Sequence, residues 1–133
     1  ASVQVAFTRV GLMPDGGASA VLPVLIGRAR AARMAMTAEK VSAATAFEWG
    51  MISHVTTEDG YLKVLEQVLE SVARGPTVSL GWTKRALTAA TLGALEAVQA
   101  IEADGQLALV DTDDFREGAR AFRERRAPEF HGH

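Results

Sequence analysis

The sequence predicts a mostly α-helical chain with one or two short strands, and three observations carry that reading. Over residues 61–73, Leu62, Leu65, Val68, Leu69 and Val72 recur at helical spacing, while Lys63, Glu66 and Glu70 take the opposite face. Breaks at Gly27, Gly50, Gly75-Pro76 and Gly93 divide the rest into segments of helix length. A final segment opens on Asp111, Asp113 and Asp114 and closes on Arg123, Arg125 and Arg126, which suits the dipole of a helix at both ends.

Taken in order, residues 3–7 are apolar and β-prone enough for a short strand, though five residues need a pairing partner that the sequence does not point to. Residues 17–35 are alanine-rich and apolar, predicting helix interrupted at Gly27. Thr37 or Ser42 can cap the next helix, which stops at Gly50. Residues 51–56 read as a second short strand. After the helix over 61–73, Gly75-Pro76 precedes another through Val78, Trp82 and Ala86, closed by Thr91-Leu92-Gly93. A long helix runs from Ala94 toward Val110, and the last begins near Asp111-Thr112 with Phe115, Ala119 and Phe122 as its apolar stripe. No repeat or linker divides the chain into two domains.

Composition narrows the function classes. At 133 residues and 48% hydrophobic content, the chain has the material for one core. Fourteen Lys+Arg against sixteen Asp+Glu leave a net charge of −2, so no global basic field favours nucleic acid or an anionic membrane. Arg116, Arg120, Arg123 and Arg126 form a basic series, but Glu117, Glu124 and Glu129 dilute it. With no cysteine there are no disulfides or thiolate metal sites, which suits a reducing cytoplasm, the expected location. Apolar runs such as residues 18–26 are too short to span a bilayer, and no basic-then-apolar leader is seen. His54, taken as part of the second strand, and His131 and His133, in a tail of low expected order, lack the spacing of a metal cluster, so no metal is expected. Gly16-Gly17 is not a dinucleotide fingerprint, and no G-x-S-x-G elbow exists. Lys84 and Arg85 read as a solvated helix face, Trp49 and Trp82 as packing anchors.

The segment richest in chemistry is the turn at Asp15. Pro14 fixes its own φ and biases Met13 to extended backbone, while Gly16 and Gly17 permit an unusual turn before a helix. A carboxylate there is expected to lie near free N–H groups at the helix start, where it can serve as an acid/base group beside a substrate. Taken alone, Pro14-Asp15-Gly16 is also a common turn sequence, with Asp15 as turn residue or cap.

Three ordered blocks extend the reading. Gly11-Leu12-Met13-Pro14-Asp15-Gly16-Gly17 followed by Leu25-Ile26-Gly27 and Ala29-Arg30-Ala31, then Val41 through Ala46 to Gly50-Met51-Ile52, then Thr112 through Gly118, Phe122 and Arg126 to Phe130, resemble the enoyl-CoA hydratase/isomerase (crotonase) superfamily over nearly the whole chain. The resemblance implies the C-terminal portion of an α/β crotonase (ClpP/crotonase) fold. Residues 1–75 would be the end of the core with the active-site turn, and 76–133 a helical trimerisation region. Family chains are roughly twice this length, within the one-to-two-domain range, and the other half carries the backbone donors that polarise the thioester carbonyl.

By the same resemblance, the substrate is an acyl-CoA thioester, coenzyme A enters only as part of it with no permanently bound cofactor, and a homotrimer or hexamer is expected. Asp15 stands where relatives that shift a double bond carry their acid. Phe7 stands where hydratases carry a glutamate, which favours isomerisation over two-carboxylate hydration. Phe7, Leu12, Met13, Pro14 and Gly16 would face substrate, and burial against Phe7, Leu12 and Met13 would make Asp15 a better base. Phe122 and Arg125 match positions that meet the adenine and phosphate end of coenzyme A, although for isolated residues a core aromatic and a solvated helix-end charge is the commoner reading. The alternatives are an enoyl-CoA hydratase of fatty-acid β-oxidation and a non-catalytic CoA-binding or assembly module.

Overall fold

The computed structural model describes residues Ala1–His133 and begins with a strand that finds its partner inside the chain. β1 (Ser2–Gln4) runs antiparallel to β2 (Lys40–Ser42), with Val3 opposite Val41. The expected first strand is thus shorter than residues 3–7, and its missing partner is supplied 38 residues on. Phe7–Val10 forms a 3₁₀ helix instead, because Gly11, at φ +73°, turns its N–H back to the Phe7 and Thr8 carbonyls. α1 (Ala18–Ile26) and α2 (Arg28–Thr37) meet at Gly27, as expected. Ser42 caps α3 (Ala43–Glu48) by accepting from Thr45 N–H at 3.1 Å.

The second strand expected over residues 51–56 does not form. Gly50, at φ +77°, closes α3 with its N–H on Phe47 O, and Met51 N–H reaches Ala46 O. This is a Schellman closure, in which the following apolar residue packs back on the helix. Met51 and Ile52 accordingly pack against the core, while Ser53 and His54 are exposed. The apolar run that reads as a strand is the hydrophobic contact of a helix stop.

The core gathers Val5, Ile26, Ala31, Met34, Val41 and Ala46, with Phe7, Leu22 and Trp49 packed around them. Trp49 is half-buried, and the guanidinium carbons of Arg30 and Arg33 lie 5.1 Å from its ring. α4 (Tyr61–Ala73) and α5 (Thr77–Thr91) follow with neither burying a single residue. Trp82, expected to anchor packing, is 64% exposed on α5 beside Arg85. Lys84 and Arg85 are exposed, as the solvated reading has it.

α6 (Leu95–Leu109) and α7 (Asp113–Glu124) return over the N-terminal segment, α6 against α1 and α7 against the 3₁₀ helix. Thr112 caps α7, accepting from Phe115 N–H at 3.1 Å. The buried residues of α7 are Gly118 and Ala121. The expected stripe is corrected at its last member: Phe122 is 77% exposed. The reason lies at Gly118, where a Cβ would sit 2.6 Å from Val10 Cα, so backbone contact rather than aromatic bulk sets the packed face. The tail also differs from its expected low order. His131 and Gly132 N–H donate to the Asp114 carboxylate, and Asp114 N–H donates to His133 O. No helix is long and apolar enough to cross a membrane.

Candidate active site

Residues 11–19 pass from the 3₁₀ helix into α1, and a single face of α6 holds them. Gly17 takes φ +86°, the left-handed conformation its lack of a Cβ allows, and a side chain there would meet Leu95 Cδ1. That geometry aims the first free amides of α1 at Glu102. The Glu102 carboxylate is 2% exposed and accepts from Gly17 N–H at 2.7 Å and from Ser19 N–H at 2.9 Å. Burial alone would raise its pKa. The hydrogen bonds of Ser19 and Gly17 outweigh it and hold the carboxyl below its ordinary value.

One turn along α6, Gln106 Nε2 donates to Met13 O at 2.9 Å and to Asp15 Oδ2 at 3.0 Å. Its own Oε1 is buried and has no partner. Between them Gly105 leaves room for Met13, whose sulfur occupies the space a side chain at that position would need.

This corrects two expectations about Asp15. The amides at the start of α1 are not free for it, since Glu102 takes them. The Asp15 side chain is also exposed rather than buried against Phe7, Leu12 and Met13. Asp15 still shapes the turn, its carbonyl accepting from Ala18 N–H at 3.1 Å.

Leu12, Met13 and Pro14 share the wall of a cavity of about 660 Å³, together with Leu22, Met36, Leu109 and Phe130. Asp15 and Gly16 follow Pro14 immediately and are exposed, outside that wall. Phe7 is half-buried against the core and does not line the cavity. The charged groups of the lining are Arg28 and Asp114, and the latter is committed to the tail amides. Phe122 and Arg125 lie at the far end of α7, exposed, and are not brought to the turn. Arg125 takes the left-handed position of a second Schellman closure, its N–H on Phe122 O and that of Arg126 on Ala121 O. No group of three or more His, Asp or Glu side chains is placed to hold a metal ion.

Glu102 and Gln106 are the residues that sequence reasoning missed. Their signal is present in the pattern. Leu95, Val98, Gly105 and Leu109 mark the inward face of α6, and a glutamate stands at position 102 of that stripe, where an apolar residue is the ordinary choice.

The family model for enoyl-CoA hydratase/isomerase matches residues 1–133. The chain is 36% identical over 132 residues to the 1,2-epoxyphenylacetyl-CoA isomerase of Escherichia coli, covering 99% of this chain and 50% of that one. It is 39% identical over 132 residues to a probable enoyl-CoA hydratase of Rhodobacter capsulatus, covering 99% and 51%. A crystal structure of an enoyl-CoA hydratase from Mycobacterium avium subsp. paratuberculosis superposes with a TM-score of 0.93 at 44% identity, covering 95% of this chain and 51% of that one. The chain therefore spans about half the length of the curated relatives it matches, and the fold is that of the crotonase superfamily.

Proposed function

The chain belongs to the enoyl-CoA hydratase/isomerase family, and from that premise we propose that it supplies the acid/base half of an enzyme that moves the double bond of an enoyl-CoA, with Asp15 as the group that carries the proton. One observation carries the choice of Asp15. Around the turn, Glu102 spends both oxygens on the start of α1 and Asp114 spends both on the tail, whereas Asp15 has one oxygen on Gln106 and the other without a partner. A single free carboxylate suits isomerisation: it takes a proton from C2 of a 3-enoyl thioester and returns it at C4, and the intervening enolate carries the negative charge. Hydration by two carboxylates lacks its second member, since Phe7 cannot exchange a proton.

In this reading the carbonyl donors that stabilise the enolate, and the surface that excludes water from the exposed Asp15, come from outside these 133 residues. Leu12, Met13, Pro14 and Gly16 bound the acyl side. Phe7 contributes by packing against the core, and coenzyme A arrives as part of the substrate with no resident cofactor. Phe122 and Arg125, free and exposed, serve the adenine and phosphate end of coenzyme A, across a subunit boundary in a homotrimer or dimer of trimers built through residues 76–133. The whole acts in the cytoplasm.

The test is to assay the intact polypeptide with 3-enoyl-CoA and 2-enoyl-CoA, before and after Asp15→Asn. Double-bond migration is expected to fall by about 10²- to 10⁴-fold, the usual worth of a positioned acid/base group. Hydration of 2-enoyl-CoA as the main activity, with migration unaffected by Asp15→Asn, would overturn the reading.

A further inference from the structure

We infer that Glu102 and Gln106 are positioning residues for the reaction: α6 grips the Asp15 turn from both sides and fixes where the carboxylate points. The inference rests on the isomerase reading above and adds to it the part that holds the base still. Residues 105 and 106 stand one helical turn beyond residue 102, at i+3 and i+4, so the three move as one body. Each touches a different point of the turn. Glu102 fixes the Gly17 and Ser19 amides after Asp15, Gly105 seats the Met13 side chain before it, and Gln106 ties the Met13 carbonyl to the Asp15 carboxylate itself.

The chemistry explains why these residue types are present. A buried carboxylate held by the Gly17 and Ser19 amides and the Ser19 side chain is an expensive way to cap a helix when Ser or Asp at the N-cap would serve. Gly17 has no side chain to cap with, and the turn needs its left-handed φ. A cap delivered from α6 leaves Gly17 free to make the turn. Gln106 meets a second requirement: an amide orients Asp15 without neutralising it, as an Arg or Lys would. Its buried, unpartnered Oε1 marks a side chain held for its donor alone, at the cost of an unsatisfied acceptor. A carboxylate that must serve C2 and then C4 needs this restraint, because rotation away from the substrate between the two transfers delivers the proton to water.

The experiment compares wild type, Asp15→Asn, Gln106→Met and Glu102→Gln in the intact polypeptide, with 3-enoyl-CoA deuterated at C2. Gln106→Met keeps the length of the side chain and removes the tie. Its kcat is expected to fall by about 10- to 100-fold with KM within about twofold, the scale of an ångström-level misplacement. The fraction of deuterium recovered at C4 should fall with it. A merely structural role would lower the melting temperature and leave kcat and label transfer in the folded enzyme as they are. If Asp15→Asn abolishes migration while Gln106→Met retains wild-type kcat and label transfer, the positioning role is wrong and the proposed function stands. If Asp15→Asn is harmless, the proposed function fails and the clamp with it. Should Gln106→Met not fold, Glu102→Gln carries the same comparison, since it keeps one acceptor oxygen for the start of α1 and loses the other.

Discussion

Glu102, Asp114 and Glu117 share one physical property: each carboxyl is held below its ordinary value by hydrogen bonds that form only in the folded chain. For Glu102 burial opposes the shift and the Ser19 and Gly17 donors overcome it. For Asp114 the His131 N–H leads, and for Glu117 the Arg126 guanidinium leads with Arg120 behind it. A group whose folded value is depressed binds its proton more readily when unfolded, so its contribution to stability is complete above the unfolded value and lost as pH falls through the folded one. The unfolded values are about 3.9 for Asp and 4.3 for Glu. Melting temperature should therefore stay level from neutrality down to about pH 5 and decline below about pH 4. Glu102→Gln should flatten that decline as well as lower the neutral plateau. Thermal melts across pH 2.5 to 7, about a unit or more either side of those values, provide the check. An acid limb with the same slope in the variant would show that Glu102 is not among the groups responsible.

At the scale of elements, helix caps set the boundaries, and at two of them the N-cap residue's own side chain supplies the cap. Thr112 accepts from Phe115 N–H, and Asp113 and Asp114 place negative charge in the first turn of α7. Thr112→Ala should cost about 1 kcal/mol, the usual worth of a Ser, Thr or Asp cap. Because α7 packs its Gly118 on Val10 next to the turn at Asp15, that loss should appear in urea melts as a lower midpoint with unchanged slope. An unchanged midpoint would mean that Asp113 and Asp114 hold the helix start without the hydroxyl. The same caps explain what was legible beforehand. Gly27, Gly50, Gly75-Pro76, Ser42 and Thr112 are local signals, and the helices they delimit lie where the sequence puts them. The pairing of Val3 with Val41 depends on tertiary proximity, and the Met51-Ile52 run depends on a helix closing beneath it, so periodicity misreads both. At the site, Asp15 is identifiable because Pro14, Gly16 and Gly17 surround it in sequence. Glu102 and Gln106 act across 83 to 93 residues, and only a lone glutamate on an apolar face betrays them.

The whole molecule buries too little of itself. Its accessible surface is 9595 Å², whereas a folded monomer of 14.1 kDa is expected to expose about 6,700 Å². Only 11 of 133 residues are buried, and all of those lie outside α4 and α5. The excess of about 2,900 Å² exceeds the roughly 800 Å² that each partner contributes to a stable interface. Much of it is apolar: Leu62, Leu69 and Val72 on α4, and Val78, Trp82 and Leu87 on α5, are each more than half exposed. Both helices present apolar side chains with nothing laid over them, the arrangement expected of surfaces that pack against further polypeptide. The 133-residue chain in isolation should therefore self-associate, with light scattering reporting masses well above 14.1 kDa at micromolar concentration. Leu69→Glu with Val72→Glu places charge on the α4 face without touching the turn at Asp15, and should shift the mass toward the monomer while helical content is retained. A monodisperse monomer from the unaltered chain would mean that α4 and α5 fold down and cover each other in solution, and the argument from surface area would then fail at these two helices.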